Sequence, residues 1–138
     1  MVIMEIPSIL MQRLPLTVSS ADQYWGSFVK IVGSSEETFF RLLYADWALE
    51  LGGRIIADSS SSAQHNRSGL DLLKGRSIEA LTLDVSAHRI TLCSGDDLRL
   101  QLSANLAEYE VDDELLLMSV PNAFISYCPA AGWVIEPR

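Results

Sequence analysis

The chain has 138 residues, of which 49% are hydrophobic and 20% are charged, and its net charge at pH 7 is −8. This length is enough for one domain with its own core, and the composition excludes a disordered chain. No uninterrupted apolar run approaches the ~18 residues of a membrane-spanning helix. We therefore expect a single domain over residues 1–138, located in the cytoplasm and without a membrane partner.

The negative charge is concentrated in the second half of the chain. Residues 1–76 carry seven Lys and Arg against eight Asp and Glu, whereas residues 77–138 carry three against ten. A protein that binds nucleic acid needs a basic surface, so this distribution argues against a nucleic-acid partner. An acidic surface is suited to a basic protein partner.

Residues 1–18 contain Pro7 and Pro15, and we expect them to form an edge strand or a loosely attached arm.

The first predicted helix begins at Ser20. Ser20 and Gln23 have the spacing of a capping box, and Gly33 follows as the end of the helix. The apolar residues between them fall on one helical stripe: Tyr24, Trp25, Phe28, Val29 and Val32.

A second helix and three strands are predicted between residues 69 and 103. Leu70, Leu72 and Leu73 form a short apolar helical turn that Gly75 ends. Apolar and polar residues then alternate in three stretches, which is typical of half-buried strands. These stretches are residues 77–85, 89–93 and 98–102.

The two glycines that end these helices belong to an apparent internal repeat. Gly33 and Gly75 lie 42 positions apart, and the same offset pairs Ser35 with Ser77. We interpret the chain as two helix-plus-three-strand units, about residues 20–58 and 66–103, joined by a polar linker over residues 59–68. The strands of the first unit are predicted at residues 38–44, 47–51 and 54–58, with Gly52-Gly53 as a hairpin turn. Residues 38–44 could instead form a short helix after Ser35.

The remaining residues, 104–138, are predicted to form a β-rich tail. Short strands are expected at 108–110, 115–120, 124–128 and 133–136, separated by Pro-containing turns. The predicted fold class is therefore α+β, with duplicated units, a mainly antiparallel sheet and this tail.

Four short motifs of the chain resemble those of a small family of uncharacterised bacterial domains. They are Leu-Leu-Lys-Gly at 72–75, Asp-Leu-Arg-Leu-Gln-Leu at 97–102, Glu-Tyr-Glu at 108–110 and Pro-Ala-Ala-Gly at 129–132. The resemblance covers about residues 26–135. Some members of this family are immunity-type proteins of polymorphic toxin systems, so the resemblance implies an immunity role. It supplies no catalytic residues.

The residue types needed for catalysis or metal binding are sparse. Cys93, Cys128, His65 and His88 have no zinc-site spacing, and we expect buried, unreactive thiols and surface histidines. Acidic residues are frequent, but the ordered Asp-x-Asp-x-Asp-Gly pattern of a calcium loop is missing. We therefore predict no catalytic residues, no metal and no cofactor.

The acidic tract at residues 108–114 is the predicted partner-binding site. Five carboxylates surround one aromatic residue, which is a pattern typical of surfaces that bind basic enzymes. We expect a non-catalytic protein-binding domain, with an immunity-type inhibitor of a bacterial toxin as the leading hypothesis. A small-ligand-binding or scaffold domain is one alternative, and a hydrolase that uses Asp residues is another. The predicted site residues are Glu108, Tyr109, Glu110, Asp112, Asp113 and Glu114.

Overall fold

Thirteen strands, two short helices and one 3-10 turn make up the regular structure of the described residues. The computed structural model describes residues 5–35 and 37–138. In chain order the elements are α1 (Ser8–Met11), β1 (Leu16–Thr17), β2 (Ser20–Tyr24), β3 (Phe28–Val32), β4 (Phe39–Leu42), β5 (Asp46–Leu51), β6 (Arg54–Asp58), α2 (Ala63–Leu70), the 3-10 turn η1 (Asp71–Leu73), β7 (Ser77–Ile78), β8 (Ala80–Asp84), β9 (Arg89–Ser94), β10 (Leu98–Ser103), β11 (Leu116–Val120), β12 (Ala123–Cys128) and β13 (Gly132–Pro137).

These strands pair into two large antiparallel sheets and one small one. The six-stranded sheet has the order β13-β12-β11-β4-β3-β2, and the five-stranded sheet has the order β6-β5-β10-β9-β8. Strands β1 and β7 form a separate two-stranded ribbon. The fold is therefore mainly β.

The inward faces of both large sheets contribute to one hydrophobic core. In the five-stranded sheet, a row of opposed leucines crosses four strands, namely Leu49, Leu100, Leu92 and Leu81. In the six-stranded sheet, the matching row is Ala21, Ile31, Phe40, Met118 and Ile125. All of these side chains are buried. Because side chains alternate between the two faces of a strand, the polar residues that alternate with these along each strand point outward.

Helix α2 packs against both β6 and β2, which are edge strands of different sheets. The buried side chain of Asn66 joins the three elements. Its amide nitrogen donates to the Gln23 Oε1 atom at 3.0 Å and to the Asp58 carbonyl at 2.8 Å. Its amide oxygen accepts from the Asp58 backbone N–H at 3.1 Å. The polar groups that meet at this junction are therefore paired, as burial requires.

The helix predicted from Ser20 is wrong, because these residues form the hairpin of β2 and β3. Trp25 and Gly26 have positive φ angles of 41° and 71°, which an α-helix does not allow. After this turn, Val29 and Ile31 point into the core with the period of two that a strand requires. The apolar residues of this stretch fit both periods, so local spacing did not separate the two structures.

The duplicated α+β architecture is also wrong. Strand β4 belongs to the six-stranded sheet, whereas β5 and β6 belong to the five-stranded sheet, so the first predicted unit is divided between sheets. Gly75 has a positive φ of 82°, as predicted, but Gly33 is outside the left-handed region. Gly33 instead follows a strand, and its backbone N–H donates to the Thr38 carbonyl at 2.8 Å. The two glycines therefore have different structural roles.

Three shorter predictions also differ from the structure. Part of the predicted linker is helix α2, which Ser62 caps by accepting from the His65 backbone N–H at 3.2 Å. Residues 108–110 lie in turns rather than a strand. The predicted arm contains α1 and β1, and both Leu10 and Leu16 are buried, so residues 5–18 are part of the packed structure. Residues 1–4 of that arm lie outside the described residues.

The remaining strand predictions are confirmed to within a few residues at each end, except that residues 77–85 form two strands, β7 and β8, which belong to different sheets. Gly52 and Gly53 form the two-residue turn between β5 and β6, with φ angles of 59° and 82°. No helix in the described ranges is both long and apolar enough to cross a membrane.

The different roles of the two glycines lead to a test by substitution. At Gly75, Ala should reduce the free energy of unfolding by about 1 kcal/mol, and Asn should cost less, because Asn tolerates the left-handed region. At Gly33, an added Cβ would lie 3.0 Å from the Leu16 Cδ1 atom and 3.1 Å from the Thr38 carbonyl oxygen. At Gly33, Asn should therefore reduce the free energy of unfolding more than Ala, because the larger side chain meets the same close neighbours. Urea unfolding of the four variants measures whether Ala or Asn is the more destabilising at each position. If the same residue were the more destabilising at both, the different roles assigned to the two glycines would be contradicted.

Candidate protein-binding surface

The acidic tract forms the middle of the loop between β10 and β11. The Asn105 carbonyl accepts from the backbone N–H groups of Glu108 and Tyr109, at 3.1 and 2.9 Å. One side-chain oxygen of Asp113 accepts from the Glu110 backbone N–H at 2.9 Å. These hydrogen bonds within the loop hold its turns in place. The structure leaves three of its carboxylate residues fully exposed, namely Glu108, Glu110 and Asp112.

Glu114 faces a different part of the surface from these three. It is half-buried and lines a cleft on the outer face of the six-stranded sheet with Arg41, Phe124, Ser126 and Glu136. Burial raises the pKa of the Glu114 carboxyl, and the neighbouring negative charge of Glu136 raises it further. The five carboxylates among the six predicted site residues therefore divide into three that are exposed and two, Asp113 and Glu114, that are half-buried and contact the protein itself.

Tyr109 is held at the surface by another aromatic ring. It is half-buried, and its ring centroid lies 5.6 Å from that of Tyr44 in an edge-to-face arrangement. Tyr44 is fixed in turn by its backbone N–H, which donates to the Glu114 carbonyl at 3.0 Å. An aromatic side chain that is already ordered loses little entropy when a partner packs against it, so Tyr109 is suited to be an anchor.

Tyr109 is one end of a longer row of rings that crosses the molecular surface. From Tyr44 the row continues to Phe28 at 5.2 Å, to Tyr24 at 6.0 Å and to Trp25 at 6.3 Å between centroids. We call Trp25, Tyr24, Phe28, Tyr44 and Tyr109 the aromatic row. Trp25 ends the row in the turn between β2 and β3, and 84% of its side-chain surface is exposed. Such exposure is uncommon for tryptophan, which is highly buried on average.

The turn that carries Trp25 is fixed from the core side. Trp47 lies on β5 and is 2% exposed, and its indole N–H donates to the Ser27 carbonyl at 2.7 Å. The Gln23 side chain also donates to the Gly26 carbonyl. A positive φ is strained for a residue as bulky as Trp25, so the surrounding contacts must maintain this conformation.

The aromatic row was missed at the level of sequence, because Tyr24, Trp25 and Phe28 were assigned to the buried stripe of a helix. The signal that could have revealed it is the alternation of Phe28–Val32 after a Trp-Gly-Ser turn. Tyr44 and Tyr109 are 65 positions apart in the numbering, so only the fold shows their contact.

The cysteines and histidines lie in separate surroundings. Cys128 is buried, whereas Cys93 is only partly buried, so the expectation of two buried thiols holds for Cys128 alone. His88 and Cys93 lie at opposite ends of strand β9, and the His88 Nδ1 atom is 3.1 Å from the Tyr127 hydroxyl. His65 is exposed on α2.

Three aspartates in or beside strands, Asp58, Asp84 and Asp97, are each engaged in a local turn or an ion pair. The hydroxyls of Ser60 and Ser61 donate to the Asp58 carboxylate and lower its pKa. The Asp84 and Asp97 carboxyls have lowered pKa values for a similar reason: a hydroxyl donates to Asp84, and the Arg76 guanidinium donates to both Asp97 oxygens. Within residues 5–35 and 37–138, no three His, Cys, Asp or Glu side chains gather in a way that could hold a metal ion.

The hydrogen bond beneath the Trp25 turn can be tested with two Trp→Phe variants. Trp47→Phe removes the donor to Ser27 and leaves a small cavity, so we expect a loss of about 2–3 kcal/mol in the free energy of unfolding. Trp133→Phe is the matched control, because the Trp133 indole nitrogen is buried and has no hydrogen-bond partner within the described structure. Urea unfolding should show the smaller loss for Trp133→Phe. Faster amide exchange around residues 25–27 is expected only for Trp47→Phe.

The raised pKa of Glu114 leads to a prediction about pH. The folded state holds the Glu114 proton more tightly than the unfolded chain, so stability falls as pH rises from the ordinary value of 4.5 through the folded-state pKa. Glu114→Gln removes this loss. The stability of Glu114→Gln relative to the original protein should therefore increase from about pH 4 to neutral pH. Urea midpoints across this range measure it, with the exposed Glu108→Gln as control. If the difference in stability between Glu114→Gln and the original protein did not change with pH, the raised pKa of Glu114 would be contradicted.

No known protein family, curated protein or solved structure matches this chain. The resemblance to immunity-type proteins therefore stays a hypothesis. We base the functional proposal on the acidic loop and the aromatic row.

Proposed function

We propose that this chain is a non-catalytic protein-binding domain that inhibits a basic enzyme, as an immunity-type protein inhibits its toxin. The observation that carries the proposal is the position of Tyr109. Its ring packs on Tyr44 while exposed carboxylates flank it in the chain, at Glu108 and Glu110. This surface combines an ordered aromatic anchor with a local excess of negative charge, which is the combination that a basic protein surface complements.

The exposed carboxylates of the loop are available to a partner. The two ion pairs found among the described residues are Lys74 with Asp71 and Arg76 with Asp97, and neither includes a residue of the loop. The overall charge of −8 adds a long-range field of the same sign. Such a field steers a basic partner toward the surface and increases the rate of association.

Inhibition follows from covering a basic active site. Enzymes that act on polyanions have positively charged clefts, because their substrates must be attracted and held there. An acidic loop that occupies such a cleft competes with the substrate for the same charges. The inhibitor then needs no chemistry of its own, which is consistent with aspartates that are engaged in local turns.

The proposal predicts different effects for loop charges and for equal charges elsewhere. The variant Glu108→Gln, Glu110→Gln, Asp112→Asn should associate about tenfold more slowly with a partner captured from a cell extract at low ionic strength. The control variant Glu5→Gln, Glu37→Gln, Asp96→Asn removes the same number of exposed charges, with the same residue types, from other parts of the surface. It should slow association much less. Surface plasmon resonance measures both rates.

In the same measurement, Tyr109→Ala should mainly change the dissociation rate constant. Removal of the anchor should increase dissociation at least tenfold and change association little. Salt should slow association of the original protein as the Debye length approaches ~8 Å at 0.15 M. Inhibition of the captured enzyme should weaken in parallel with affinity. A partner whose affinity is unchanged by both the loop variant and Tyr109→Ala would contradict the proposal.

A further inference from the structure

The aromatic row is an apolar surface that extends well beyond the acidic loop. Trp25 and Tyr44 are 84% and 38% exposed, and the other three rings are partly buried. Neighbouring centroids are 5.2 to 6.3 Å apart along the row. A six-residue segment in extended conformation spans about 20 Å, so one such segment could contact most of the row.

Three cations of this chain lie over rings outside the aromatic row. The Lys30 Nζ atom lies 4.6 Å from the Phe39 centroid, and the Arg41 Cζ atom lies 5.1 Å from it. The Arg138 Cζ atom lies 5.1 Å from the Phe124 centroid. In the described ranges, no lysine or arginine occupies the five rings of the aromatic row in this way. Their capacity for cation–π contacts is therefore left for a partner.

Exposed carboxylates lie close in the chain to the two residues at one end of the row. Glu108 and Glu110 flank Tyr109 in the chain, and Asp46 follows Tyr44 by two positions. All three are exposed. A guanidinium can use both features at once, because its planar face stacks on an aromatic ring while its edge donates two hydrogen bonds to a carboxylate. The ammonium group of lysine lacks this flat, forked geometry.

We propose that the aromatic row binds an extended, arginine-containing segment of the basic partner. A guanidinium of that segment contacts the Tyr44–Tyr109 pair and its carboxylates, and Trp25 packs on the aliphatic part of the segment at the other end. This proposal rests on the proposed function and adds to it the chemistry by which the same surface would recognise its partner.

Synthetic peptides test the preference for arginine without an identified partner, because hexaarginine and hexalysine carry equal charge. The intact protein is titrated with hexaarginine, hexalysine and an uncharged glycine–serine hexapeptide at low ionic strength, by isothermal titration calorimetry. We expect hexaarginine to bind about tenfold more tightly than hexalysine and the uncharged peptide not to bind. Both basic peptides should lose affinity with added salt.

Variants of the row should remove the preference for arginine. Tyr44→Ala should weaken hexaarginine binding about tenfold and hexalysine binding less than twofold. Tyr44→Leu keeps an apolar side chain and should have the same effect, so a loss caused by poor folding of Tyr44→Ala is recognised. Trp25→Ala should weaken hexaarginine binding about threefold. The control is Ile135→Ala, which shortens a 52% exposed apolar side chain on β13 and should change neither affinity.

The outcomes separate this inference from the proposed function. If both basic peptides bind equally and the loop variant Glu108→Gln, Glu110→Gln, Asp112→Asn abolishes binding, the acidic loop binds cations and the arginine proposal is wrong. If neither basic peptide binds at low ionic strength, the arginine proposal is wrong, whereas the proposed function is decided separately by the rates of the loop variant and Tyr109→Ala with the captured partner. If only the Tyr44 variants affect the preference, the role assigned to Trp25 is wrong.

Discussion

The hydrogen bond from the buried Trp47 indole to the Ser27 carbonyl connects the core of this protein to its most exposed aromatic residue. Trp47 belongs to the five-stranded sheet, and Ser27 lies in a turn of the six-stranded sheet. A single side chain therefore fills the core and positions the turn that carries Trp25. Without it, the strained conformation of that turn would have one hydrogen bond fewer to maintain it. The geometry of the aromatic row depends on this connection.

The acidic loop and the aromatic row have complementary physical roles. Under the proposed function, exposed carboxylates act over a distance comparable to the Debye length and would determine how often a basic partner arrives. Aromatic rings act only in contact and would determine how long that partner stays. Tyr109 belongs to both features, because it lies within the acidic loop and packs on Tyr44.

The carboxylates of the acidic tract are similar in sequence but not in environment. Glu108, Glu110 and Asp112 are exposed, whereas Asp113 accepts a hydrogen bond from its own loop and Glu114 faces Glu136 in a cleft. Charge counted along the sequence therefore overestimates the charge that a partner meets at this loop. The substitutions chosen to test binding should be the exposed ones, because neutralising Glu114 also changes stability.

The sequence by itself determined most of the strands and the acidic character of residues 108–114, but not that residues 108–110 lie in a loop rather than a strand. The strands from β8 to β10 and the Gly52-Gly53 turn follow from alternation and turn chemistry, which act over a few residues. The tertiary structure decided that residues 20–32 form a hairpin, because their apolar spacing fits a helix as well as a strand, and burial of Val29 and Ile31 in the shared core favours the strand. It also decided that β4 joins a different sheet from β5, which removes the apparent repeat. The aromatic row arises in the same way, since its contacts join residues from three separate parts of the chain and local pattern carries no information about contacts at that separation.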